Sequence, residues 1–150
     1  MSNSSWMVEE KGESWAFSYG IGHVPGYVVL SLVGQSTLER NRRVVEVIQA
    51  HRAHTQLPGG EICPMIVDMV QDNPPPTSVL LSSYALLEPL LPHLSYLVYL
   101  VAPEHPELTR MTLALEAFGL HASPKMDLVH TMEEALDKIL LYHHWHHPKE

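Results

Sequence analysis

Met65-Ile66-Val67-Asp68-Met69-Val70 is an apolar run interrupted by one acid. Continuous rather than alternating hydrophobicity predicts a strand covered on both faces. Such strands belong to parallel sheets, whose members are joined by helical crossovers. Upstream, Ser36-Thr37-Leu38-Glu39 has the form of a capping box, with Ser36 accepting from the third helical amide and Glu39 reaching back to the cap amide. Leu38, Val44, Val45 and Ile48 then form a stripe of helical spacing that ends near His54. Downstream, Gln71 to Pro76 carries three consecutive prolines and predicts an extended loop. Thr77 or Ser78 caps a second helix running through Leu87, which Pro89 breaks or kinks.

The alternation continues in both directions. Tyr96 to Val101 reads as another buried strand, and Pro106 suits the first turn of a helix carrying Leu108, Met111, Leu115 and Phe118, with Gly119 at its end. Met126 to Val129 is a short strand, followed by a second capping box, Thr131-Met132-Glu133-Glu134, and a helix with Leu136, Ile139 and Leu140. Toward the N-terminus, Trp15-Ala16-Phe17-Ser18-Tyr19 alternates with period two, Gly20, Gly22, Pro25 and Gly26 punctuate a turn, and Tyr27 to Val33 forms a second strand. The order β-β-α-β-α-β-α-β-α predicts an α/β domain with a five-stranded, mostly parallel sheet, an antiparallel edge hairpin and four helices. Residues 15–142 would form this domain, between a flexible N-terminus (1–14) and a His-rich C-terminal tail (143–150).

Composition narrows the roles. Hydrophobic residues are 45% and charged residues 17% of 150, which suits a globule with its own core. A formal charge of −8 repels phosphate backbones and anionic lipid, so nucleic-acid binding is not expected. Arg40, Arg42 and Arg43 are the densest basic cluster; interleaved with Glu39 and Glu46, they read as a solvated helix face. Cys63 is the single cysteine, which leaves no intramolecular disulfide or Cys-based zinc cluster and suits a buried structural thiol. No apolar run reaches the ~18 residues needed to span a bilayer, so membrane insertion is not expected and a cytoplasmic location follows by default.

This element order resembles the STAS domain, the family of bacterial anti-sigma factor antagonists and of the cytoplasmic tails of sulfate transporters. The resemblance covers roughly Trp15 to Tyr142. It implies a non-catalytic regulatory module of bacterial signalling, with a kinase-like or other regulatory protein as partner and self-pairing into a homodimer as a further option. Phosphorylatable members have a strand ending Asp-x-Ser and then Asp-Ser-Ser-Gly-Leu at the start of the second helix. Here Val67-Asp68-Met69-Val70 falls on the strand end and Pro76-Thr77-Ser78-Val79-Leu80 on the second motif. The resemblance implies Thr77, and next to it Ser78, as phosphoacceptor candidates. Pro76 replaces the motif's acid and Val79 its glycine, so helix capping is the plainer role for both.

Other chemistry is sparse. Gly20-Ile21-Gly22 lacks the helix that a dinucleotide loop requires immediately after it. Gly34-Gln35-Ser36 offers no acid pair of the kind a receiver domain needs. Histidine is the unusual type, with 11 residues. His143 and His147 stand four apart, a spacing able to chelate a transition metal, although a solvated tail that captures metal only adventitiously is the plainer account. His51 and His54 read as cations near a helix C-terminus. Asp68, His105, Asp127 and His130 fall near predicted strand ends, where α/β folds bind ligands. They are the interaction or ligand candidates, and a small-molecule sensor or small enzyme built on them is the alternative function. No catalytic residue and no cofactor is assigned.

Overall fold

The computed structural model describes residues 7–21, 26–55, 61–73, 82, 85–105, 108–109, 112–113, 116 and 125–146. Six strands form one sheet in sequential order: β1 (Met7–Lys11), β2 (Trp15–Ile21), β3 (Val28–Gln35), β4 (Met65–Asn73), β5 (Tyr96–Leu100) and β6 (Lys125–Val129). β1, β2 and β3 pair antiparallel, and β3 to β6 pair parallel. The helices are α1 (Leu38–Thr55), a 3-10 helix (Glu88–His93) and α2 (Met132–His146). Residues 82, 85–87, 108–109, 112–113 and 116 are also helical. The α/β class, the antiparallel opening and the parallel remainder match the expectation from sequence.

The strand count is corrected from five to six. Met7–Lys11, inside the segment expected to be flexible, extends the hairpin as an edge strand. Only Val8 of its inward side is apolar and packs on the core; Glu10, also inward, accepts hydrogen bonds from Nε and Nη2 of Arg43 on α1. A strand held by its ladder and one ion pair carries little hydrophobic signal.

The sheet separates two apolar layers. On one face Trp15, Phe17, Tyr19, Leu30, Met65, Val67 and Leu97 meet Val44, Val45 and Ile48 of α1 and Leu90 and Leu91 of the 3-10 helix. On the other, Ile66, Tyr96, Val98, Leu100 and Val129 meet Ala135 and Ile139 of α2. The central strands are thus covered on both sides, in keeping with their mostly apolar runs. Pro89 stands in the first turn of the 3-10 helix, where the α-helical residues 85–87 give way to the tighter winding.

The two capping boxes differ. Thr131 is the true cap of α2: its Oγ1 accepts from the Glu134 amide at 3.1 Å, while the Glu134 carboxylate accepts from the Thr131 amide at 3.1 Å. At α1 the cap is Thr37 rather than Ser36, accepting from the Arg40 amide at 3.1 Å. Starting the helix one residue later turns Arg40 into the protein. Ser36 Oγ accepts instead from Asn41 Nδ2, and Glu39 from the Trp15 indole.

Candidate functional site

β4 is three residues longer than its apolar run, and the extension builds the site. In the β3–β4 ladder Ser31 faces Asp68 but Val33 faces Gln71, so two steps on β3 match three on β4. The extra residue is a β-bulge at Met69-Val70. Asp68 sustains it: its Oδ1 accepts from the Val70 amide at 3.1 Å, satisfying a donor that the disrupted ladder leaves free. Asp68 shares the α2 face with Ile66, and strict alternation would place Asp72 there too. The bulge reverses the parity. Asp72 pairs with Gly34 and turns toward α1.

There it meets Arg40. Nη1 of Arg40 donates to Oδ1 of Asp72 at 2.5 Å, and each side chain is only 2% exposed. The Arg40 Nε donates to Asn41 Oδ1, and His105 Nε2 donates to the Asp72 carbonyl at 2.9 Å. Burial pushes the Asp72 carboxyl above the usual carboxylate range, although Arg40 and His105 pull the other way. The expectation that Arg40, Arg42 and Arg43 form one solvated face is corrected. Arg42 is exposed, Arg43 pairs with Glu10 and Glu46, and Arg40 is buried.

The other candidates each have a separate anchor. His130 follows β6 and donates from Nδ1 to the Val101 carbonyl at 2.9 Å. Asp127 lies on the α2 face of β6, where Oδ2 accepts from the Tyr96 hydroxyl at 2.5 Å. His105 and His130 thus both lie beyond the C-terminal ends of the parallel strands, whereas Asp68 braces the bulge and Asp127 faces the helix layer. His143 donates from Nε2 to the Gly26 carbonyl at 2.9 Å and ties α2 to the start of β3. Thr77, Ser78 and His147 lie outside the described residues. Among the described residues no group of three or more His, Cys, Asp or Glu is placed to hold a metal.

His51 is corrected from a helix-end cation to a core residue. It is 2% exposed, its Nδ1 lies 2.9 Å from the Tyr19 hydroxyl, and burial lowers its pKa. Asp72 was missed for a physical reason. A polar stretch before three prolines reads as loop, and parity alone gives no sign of a bulge; the Asp68-x-Val70 turn is the one local signal.

The fold has a solved counterpart. An uncharacterized protein of the DUF3478 family from Shewanella loihica PV-4, described as having a SpoIIAA-like fold, superposes with a TM-score of 0.63. The match covers 87% of this chain and 98% of that one at 12% identity. The fold is SpoIIAA-like. That agrees with the STAS resemblance in the sequence, and at this identity the likeness concerns the SpoIIAA-like architecture alone. No protein-family model matches the sequence, and no curated protein matches it significantly. No helix among the described residues is long and apolar enough to cross a membrane.

Proposed function

We propose that this chain is a non-catalytic regulatory module that works by binding another protein. The observation that carries this reading is how the four candidate side chains are employed. Asp68, His105, Asp127 and His130 each make a hydrogen bond that holds a bulge, a loop or a helix layer. A catalytic pair would instead converge on one reacting atom. The SpoIIAA-like fold supports the reading by analogy.

The surface offered to a partner is the outer face of α2. Leu140 and Leu141, adjacent on this helix, are about half exposed. Apolar groups standing out on one helix suit a helix-face interface, with a regulatory protein or with a second copy of the chain. Phosphorylation of Thr77 or Ser78 is the switch that the resemblance suggests for such a module.

The test is affinity capture, after chemical cross-linking, from the cells that make the protein, with wild type and Leu141→Asp side by side. A protein recovered stoichiometrically with wild type and lost with Leu141→Asp is the expected result. Recovery of a small molecule with no protein, from both forms, overturns the reading. Phosphate-affinity electrophoresis of the same material tests the switch, since a shifted band should vanish in Thr77→Ala.

A further inference from the structure

Between α1 and the sheet lies a cavity of about 190 Å³. Leu30, Val45, Ile48, Val67 and Leu97 supply apolar walls, and Arg40 with Asp72 stands at its edge. Native interiors have few voids larger than one water molecule. The space is partly open to solvent and large enough for a molecule of about one ring.

Two observations define an occupant. The polar edge is already neutralised: Arg40 is paired with Asp72 and hydrogen-bonded to Asn41, and Asn41 donates in turn to Ser36. A second charge there would be buried without a counter-ion. Tyr99, a half-buried residue of β5, also lines the cavity and brings a hydroxyl to it. Burial alone shifts that hydroxyl, pushing its pKa up, so it is a neutral donor at any physiological pH. That hydroxyl can donate a hydrogen bond to an oxygen of a molecule held in the pocket.

We propose that this cavity is a binding site for a small, uncharged, largely apolar molecule of about one ring, whose single oxygen hydrogen-bonds to Tyr99. Such a site would serve as the input of the module. The inference is independent of whether a protein docks on α2, because it rests on the opposite face of the sheet.

The experiment titrates the full chain with p-cresol, toluene and p-toluate, following methyl resonances of Val67 and Met65 by NMR. Saturable binding is expected for p-cresol, roughly 2- to 10-fold tighter than toluene through the one hydrogen bond, with none for the charged p-toluate. Tyr99→Phe should bring p-cresol down to the toluene affinity while toluene still binds. Val45→Phe, which fills the cavity, should abolish both. If Val45→Phe does not fold by circular dichroism, Tyr99→Phe decides alone. Absence of saturable binding by p-cresol and toluene, p-toluate binding as tightly as p-cresol, or an unchanged preference in Tyr99→Phe overturns the proposal.

Discussion

Arg40 and Asp72, 32 residues apart in sequence, form a buried ion pair 2.5 Å across that locks α1 onto the C-terminal end of β4. Two charges withdrawn from water gain stability only while each has the other. Replacing one alone should therefore be far worse than replacing both. Asp72→Ala is expected to lose about 3–5 kcal/mol, and the double variant Arg40→Met, Asp72→Leu to recover most of that loss. Urea denaturation at neutral pH, read as a double-mutant cycle, checks this.

His51 gives the protein a sensitivity to acid. Its pKa is lowered from 6.5, first by burial and then by His54. The unfolded chain therefore takes up this proton at a higher pH than the folded one. The neutral ring's contribution to stability is present above pH 6.5 and is lost as pH falls through the folded-state pKa. Thermal melts between pH 7.5 and 5 should show the Tm falling on acidification, with a shallower fall in His51→Gln.

Gly34 cannot be replaced. Its φ of +87° lies in the left-handed region, and a Cβ would stand 2.4 Å from the Ser14 carbonyl oxygen. That same carbonyl accepts from the Gln35 amide at 2.9 Å, so it cannot simply withdraw. Gly34→Ala should cost at least 1–3 kcal/mol, about the strain of a disallowed backbone, measured by the same denaturation. Gly26, with nothing near its Cβ position, should tolerate alanine.

Thr131→Ala should destabilise by about 0.5–2 kcal/mol through loss of the α2 cap. Glu134 accepts from the amides of His130 and Thr131, which hold its carboxyl below the usual range. Hydrogen exchange at these two amides should quicken in Glu134→Ala while the α1 amides remain protected.

Much of this was open to reading along the chain. Near-continuous apolar runs at Met65–Val70 and Tyr96–Val101, alternation at Trp15–Tyr19 and the Thr131–Glu134 box located elements whose stabilising interactions are local or periodic. β1 escaped because its stabilisation is the ladder to β2 and the Glu10–Arg43 pair. The site escaped for a related reason: Asp72 and Arg40 meet only because a bulge reverses one strand's parity and a helix begins one residue late.

Side-chain spacing repeats within a few residues, so the periodicities, and with them the class of fold and most element positions, were written into the chain. Which way Asp72 and Arg40 face, and that His51 is core rather than surface, followed from the tertiary packing alone. Each of these depends on groups distant in sequence sharing a volume closed to water, where a charge must find its opposite and a hydroxyl its partner.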